Sequence, residues 1–259
     1  MKKKQKLKVT FLGTGTSQGI PVIGSTHPVC LSSNKKDKRL RVSILVEWED
    51  FTFVVDCGPD FRYQMLRANV SKIDGILFTH DHADHVAGLD DIRPFCFQMG
   101  EVPIYAQERV LDVLTQRFGY IFETENKYPG APSIEKNTID LNPFTLGTMN
   151  VIPIELMHGK LPIFGYRFND FAYLTDVKTI SSKEKEKLKN LKVLVINALQ
   201  IRPHYTHLTL EEALELIVEL NPGRTYLTHI SHKLGFHDEV EKMLPPNVYL
   251  AYDELVLNI

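Results

Sequence analysis

The sequence predicts an α/β fold from one pattern, and two further observations place a candidate site at strand ends. Apolar runs of strand character alternate with helix-patterned segments from residue 9 to the end of the chain, with no linker-like stretch between them. The hexapeptide His80-Asp81-His82-Ala83-Asp84-His85 follows directly on the buried-strand run Ile76-Leu77-Phe78. Single ligand-type residues, His158, Asp176 and His229, close three later strand-like runs.

The elements follow in order. Val9–Leu12 reads as a first strand, ending in the glycine-rich Gly13-Thr-Gly15-Thr-Ser-Gln-Gly19. Residues 24–39 form a polar, partly basic loop. Val42–Trp48 and Phe51–Val55, joined by Glu49-Asp50, read as a hairpin of β-branched and aromatic residues. Phe61–Ala68 is helical, and Gly75–Phe78 is a short buried strand that delivers the histidine-rich segment. Asp90–Gln98 and Glu108–Phe118 carry helical patterning. Gly119–Ser133 holds Pro129-Gly130 and Pro132 without periodicity and reads as a flap. Strands are expected near 149–157, 163–168 and 171–175, then a charged helix over Ser181–Lys189 and a buried strand over Val193–Ile196. Thr209 is placed to N-cap an apolar-striped helix over Leu210–Leu220. Strands at Tyr226-Leu227, Val248–Leu250 and Leu255–Leu257 complete a chain read as one domain over 1–259.

Composition narrows the class. Hydrophobic residues make up 43% of the 259, which is enough for a sizeable core. A formal net charge of −2 gives no general pull toward nucleic acid or an anionic membrane. The basic start MKKKQK resembles the front of a signal peptide, but Leu7–Gly13 is too short and polar to follow as its apolar core. No apolar run is long enough to span a membrane. Three widely spaced cysteines, Cys30, Cys57 and Cys96, do not form a disulfide framework and point to a reducing compartment, so cytoplasmic residence is expected.

The hexapeptide places three imidazoles and two carboxylates in six residues. His80 and His82 are two apart, so in extended backbone their side chains point the same way. Asp84 and His85 follow a bend and can face a second ion roughly 3.5 Å from the first. Histidine and carboxylate donors without paired cysteines suit Zn, Mn or Fe rather than Ca or Mg. His158 closes Val151–Met157, Asp176 closes Phe171–Thr175 and His229 closes Arg224–Thr228. Any of the three alone would pass as an ordinary polar residue at a strand end. Together with the hexapeptide they form the pattern of a rigid site assembled from strand termini.

This ligand series resembles the metallo-β-lactamase-fold hydrolases, in which two β-sheets are sandwiched between helices in an αββα order. The resemblance covers nearly the whole chain. It implies that His80, His82 and His158 hold one metal, that Asp84, His85 and His229 hold another, and that Asp176 bridges them. Phe11-Leu-Gly-Thr-Gly-Thr-Ser-Gln-Gly-Ile-Pro21, Asp56-Cys-Gly58 and Leu227-Thr-His-Ile-Ser-His232 narrow it to a subgroup. That subgroup contains the phosphoribosyl 1,2-cyclic phosphate phosphodiesterases of the carbon–phosphorus lyase pathway. The tRNA 3′-processing endonuclease tRNase Z is related and shares a His-x-Thr segment, here His207-Leu-Thr209.

One departure stands out. The cyclic phosphodiesterases carry a structural zinc on a Cys-x-Cys-x-x-Cys loop and a late histidine. Here Ser25 and His27 replace the first two cysteines, whereas Cys30 and His232 keep their places. Either a Cys–His–His zinc site survives, or the site is lost and Cys30 is a plain thiol.

The resemblance implies a dinuclear hydrolase acting on a small or cyclic phosphodiester through a metal-bridging hydroxide, with two Zn or Mn ions as cofactors. Asp56 is either a turn residue or the acceptor that fixes a ligand imidazole; Asp81 has the same choice between that role and solvent. His207 is the candidate general acid or phosphate contact, and Arg202 and His204 are candidates for binding anionic substrate. The alternative for each is a solvated polar residue. The Gly13–Gly19 loop could offer backbone N–H groups to the site. A tRNase Z-type nuclease and a thioester or other ester hydrolase remain alternatives. Nucleic acid is disfavoured by Glu123 and Glu125 in the flap and by the absence of a tRNA-gripping arm. The subgroup is often dimeric, so a homodimer is expected.

Overall fold

A computed structural model describes residues 6–259; the basic start at residues 1–5 lies outside the described residues. The chain divides into two compact units, and neither is one continuous stretch. Among the described residues, the first takes 6–12, 43–140 and 256–258; the second takes 13–42, 141–255 and 259. Because the segments interleave, no linker composition marks a boundary in the sequence.

The first unit is built on a seven-stranded sheet. Its strands are β1 (Lys8–Gly13), β2 (Ser43–Trp48), β3 (Phe51–Val55), β4 (Gly75–Leu77), β5 (Val102–Ala106), β6 (Ile134–Thr138) and β14 (Val256–Asn258). They lie in the order β14-β1-β2-β3-β4-β5-β6. The expected hairpin forms, with β2 antiparallel to β3 and Trp48 opposite Phe51. From β3 to β6 the pairing is parallel. Central parallel strands are buried on both faces, which explains the unbroken apolar runs Phe53–Val55 and Ile76–Phe78. Helices Phe61–Arg67, Arg93–Met99 and Glu108–Arg117 lay Phe61, Met65, Phe95, Val110 and Leu114 against Leu45, Val54, Ile76 and Ile104. The helix expected over Asp90–Gln98 is divided: a 3₁₀ turn covers Leu89–Ile92 and the α-helix starts at Arg93. Pro94 is responsible, since proline fits only the first turn of a helix. Strand β6, with its polar sequence Ile-Glu-Lys-Asn-Thr at the sheet edge, has no apolar alternation by which to be foreseen.

The second unit carries another seven-stranded sheet, of β7 (Phe144–Leu146), β8 (Met149–His158), β9 (Leu161–Phe168), β10 (Phe171–Leu174), β11 (Val193–Asn197), β12 (Arg224–Thr228) and β13 (Val248–Leu250). The order is β13-β12-β11-β10-β9-β8-β7. Strands β10 to β13 are parallel, and β9 and β8 continue antiparallel from β10. It follows that β8, β10 and β12 all run the same way and end at one edge of the sheet. The helix Leu210–Leu220 has the expected cap. Thr209 Oγ1 accepts from Glu212 N and Glu212 Oε2 accepts from Thr209 N, a capping box. Ala213, Ile217 and Leu220 of this helix pack into the cluster holding Ile196 and Leu227. Cys30, Cys57 and Cys96 are free and buried. No helix among the described residues is long and apolar enough to cross a membrane.

Candidate functional site

The first unit holds four of the ligand candidates, at the carboxyl ends of adjacent parallel strands. Asp56 follows β3 and the histidine-rich segment follows β4. After Leu77 the chain bends at Thr79, and His82 is extended (φ −64°, ψ 148°) just before the short helix Ala83–Val86. The rings of His80 and His82 have centroids 4.6 Å apart, and the helix brings His85 to 4.1 Å from His80. His85 Nε2 lies 3.3 Å from Asp84 Oδ2. His80 and His85 are fully buried, whereas His82 is exposed.

Asp56 is the acceptor, not merely a turn residue. Its Oδ1 accepts from Thr79 N (2.8 Å), and its Oδ2 accepts from Thr79 Oγ1 (2.8 Å) and His85 Nδ1 (2.7 Å). Burial pushes the Asp56 carboxyl up, against the opposing pull of His85 and Thr79. With its proton given to Asp56, the Thr79 hydroxyl accepts from His80 Nδ1 at 3.0 Å. With Asp56 ionised, these bonds would put the proton of His80 and His85 on Nδ1 and the lone pair on Nε2, the tautomer a metal ligand needs. Asp81 is half-buried and paired with an arginine. Its Oδ1 accepts from Arg109 Nη1 at 2.5 Å.

The second unit gathers His158, Asp176, His207 and His229. His158 ends β8, Asp176 follows β10 and His229 follows β12, so the shared direction of these strands places them at one sheet edge. His158 Nδ1 donates to the carbonyls of Asp176 (2.8 Å) and Thr206 (3.0 Å), which leaves its lone pair on Nε2. Asp176 Oδ1 lies 3.2 Å from His229 Nε2, and its Oδ2 accepts from Thr175 Oγ1 at 2.6 Å. His158, Asp176 and His207 each bring a ligand atom within 4.8 Å of the other two.

His207 is buried and stacked on His229, with centroids 4.7 Å apart, and its Nδ1 lies 3.7 Å from Asp176 Oδ1. Burial, then the neighbouring His229, lowers its pKa to about 3, so the imidazole is neutral. His204 packs its ring 5.1 Å from that of His207. Arg202 is exposed and lines a cavity of about 430 Å³ with His27, Gln200, Ile201 and Lys233.

The sequence had not singled out Thr79, Thr175 or Thr206, although a threonine directly precedes a ligand at Thr79, Thr175 and Thr228. Three amides of the glycine-rich loop are spent within the second unit. Gly15 N donates to Leu40 O, Thr16 N to Ile230 O and Gly19 N to Thr16 O. Its role is close approach: a Cβ on Gly15 would meet the Leu40 carbonyl at 2.9 Å. Of the degenerate zinc set, His27 and His232 bring their rings together at 4.9 Å. Cys30 instead packs with Ile20 and Val29, and the three do not form one of the ligand groups that converge within 4.8 Å. His27 Nδ1 is occupied as acceptor from Val29 N.

A family model described as the Beta-lactamase superfamily domain matches residues 52–230. Among solved structures, a diphosphatase of the PhnP family is 40% identical with a TM-score of 0.92, covering 98% of this chain and 97% of that one. An octanoyltransferase of Porphyromonas gingivalis is 39% identical over 252 residues, 96% of this chain but 51% of the relative. A ribonuclease Z of Methanococcus maripaludis is 27% identical over 195 residues, 72% of this chain and 58% of the relative. The chain thus spans about half the length of the curated relatives it matches. The two mixed sheets with their helices are those of the metallo-β-lactamase fold, as the resemblance implied. On the strength of the superfamily match and of the near full-length likeness to the diphosphatase, the chain belongs to the β-lactamase superfamily and, within it, to the PhnP family.

Proposed function

We propose that the two units form one functional domain that works as a metal-dependent hydrolase of small or cyclic phosphodiesters. In this reading His80, His82 and His158 would hold one divalent ion, Asp84, His85 and His229 would hold a second, and Asp176 would serve both. The observation that carries it is the tautomer assignment. His80 and His85, through Thr79 and Asp56, and His158, through the carbonyls of residues 176 and 206, each carry the proton on Nδ1 and offer Nε2. A donor set of imidazoles and carboxylates fits Zn or Mn. Two such ions would supply an acidified water and positive charge for the phosphate oxygens.

The chain's own residues do the rest. Asp56 and Thr79 hold two rings in register, and His158 is locked by backbone carbonyls that cannot rotate away. His207, neutral in the free protein, gains a proton when an anionic phosphate lies beside it, and then serves the leaving oxygen. His204 and Arg202 are the proposed anion contacts. The PhnP-family relative, named a diphosphatase, supports a phosphate-centred substrate, with a diphosphate diester as one form. Zinc or manganese in the cell, cytoplasmic residence and a homodimer belong to the same proposal. The buried free cysteines support the compartment.

A second reading is a tRNA-processing nuclease, which the ribonuclease Z relative supports and the net charge of −2 opposes. An acyl thioester hydrolase is a third. The octanoyltransferase name belongs to a protein of which this chain matches half, so acyl transfer is not carried over. Metal-replete protein should bind two ions per chain and turn over a phosphodiester or diphosphate diester faster than a phosphomonoester, a thioester, a β-lactam or pre-tRNA. A higher kcat/KM on a thioester, or one ion or none by elemental analysis, would sink the reading.

A further inference from the structure

The loop that carries His80 and His82 is gripped from outside by one helix. Arg109 Nη1, in the first turn of Glu108–Arg117, donates to Asp81 Oδ1 at 2.5 Å. Arg117 Nη1, in the last turn of the same helix, donates to the Asp81 carbonyl at 2.6 Å. Two residues eight apart on a helix lie on the order of 12 Å apart along its axis, yet both reach one residue. Asp81 is therefore held at two points, once by its carboxylate and once by its backbone.

The two flanking histidines do not need this grip equally. His80 is fully buried, and its Nδ1 is already fixed by Thr79. His82 is exposed and follows directly on the doubly held Asp81. A carboxylate between two metal-ligand candidates could also turn toward an ion itself. The ion pair with Arg109 prevents this. We infer that Arg109 and Arg117 are positioning residues for His82: they fix the backbone at residue 81 and keep the Asp81 carboxylate out of the metal shell. The inference rests on the proposed metal role of His82.

Cobalt(II) titration of the metal-stripped full chain, followed by the visible ligand-field spectrum, tests it. Arg109 is half-buried and Arg117 is exposed, so the glutamine variants should fold. Arg109→Gln and Arg117→Gln should each weaken one class of cobalt site by about 10-fold or more and alter its spectrum, the size typical of losing a group that orients a ligand. The other site should keep its affinity. His82→Ala should remove the same spectral component. Arg109→Lys should restore much of the affinity, and adding Asp81→Asn to Arg109→Gln should cost little more, because both break one ion pair. An Arg109→Gln/Arg117→Gln double variant with wild-type cobalt affinity and spectrum, whatever its melting temperature, would overturn the inference. Wild-type protein that binds no cobalt would instead refute the metal reading itself.

Discussion

Replacing Asp56 by Asn probes the site with little disturbance of the backbone. Asp56 stands at φ 65°, a left-handed conformation that asparagine also adopts readily. Its carboxylate takes three donors: Thr79 N, Thr79 Oγ1 and His85 Nδ1. An amide cannot take all three. With its oxygen at the Oδ1 position, the NH₂ faces the Thr79 hydroxyl and His85. With its oxygen at the Oδ2 position, the NH₂ faces the Thr79 amide, which cannot turn away. Either way a buried donor is left unpaired, at a cost of about 1–3 kcal/mol. In the first orientation the relief available to His85 is to move its proton to Nε2, which removes the lone pair meant for metal. The expected result is a metal affinity lower by about 10–100-fold, or roughly 1.4–2.8 kcal/mol. Competition against a fluorescent chelator measures that affinity, and denaturant titration in EDTA measures the metal-independent loss. Asp56→Ala should be worse in EDTA, since a left-handed Ala adds about 1–2 kcal/mol of backbone cost. If Asp56→Asn lost stability but bound metal within about twofold of wild type, against the 10–100-fold expected, Asp56 would be a fold residue and the tautomer argument would fail.

Three further outcomes follow from the same geometry. Asp84→Asn and His229→Ala should each reduce the metal content from two ions toward one and lower the rate by orders of magnitude, as elemental analysis and turnover would show. His207→Ala should retain its metal and lose about 10²–10⁴ in kcat on an alkyl diester, but far less on a nitrophenyl diester whose leaving group departs unprotonated; equal losses would mean that His207 only binds phosphate or supports the fold. His237 Nδ1 meets Arg39 Nη2 at 3.1 Å, and burial, then Arg39 and Lys36, lowers the imidazole pKa to about 4. The folded state thus refuses a proton that the unfolded chain takes up below about pH 6.5, so stability is lost as pH falls from there toward 4. Denaturant titrations in EDTA should show about 1–2 kcal/mol lost between roughly pH 7 and pH 5 from this group, and His237→Gln should flatten the slope.

Much of this was legible because the residues that matter are bound by local rules. The hairpin Val42–Val55, the buried runs before residues 79 and 198 and the capped helix after Thr209 each follow from short-range patterning. The ligand candidates were legible because few other arrangements explain so many imidazoles and carboxylates at strand ends. What escaped was non-local. Strands β6 and β7 are edge strands, held by backbone pairing rather than apolar alternation. Arg109 and Arg117 lie 28 and 36 residues from Asp81, and nothing in the spacing links them. The division into two compact units escaped because both are threaded from separate segments.

The backbone carries a further mark of the site that no sequence pattern shows. Most non-glycine residues at positive φ are asparagines, at positions 69, 126, 169, 190, 221 and 247, where the amide side chain suits a left-handed bend. Glu49 (51°), Glu254 (71°), Asp56 (65°), Asp176 (58°) and His229 (53°) share the conformation, and the last three belong to the candidate site. Asp56 and His229 immediately follow β3 and β12, and Asp176 stands two residues beyond β10; each of these three carries a proposed ligand or the carboxylate proposed to fix one. A left-handed residue there turns the chain off the strand while its side chain stays at the sheet edge. That geometry costs on the order of 1–2 kcal/mol for an ordinary residue. It persists because surrounding bonds fix each position: Thr79 and His85 on the Asp56 side chain, His158 on the Asp176 carbonyl, and parallel pairing on both sides of β12 before His229. Glu49, after β2, has the same conformation in the hairpin turn, so a left-handed residue at a strand end also serves folding. At residues 56, 176 and 229 it falls on Asp and His, which adopt it more readily than most residues, and there it would suit the proposed array of metal ligands.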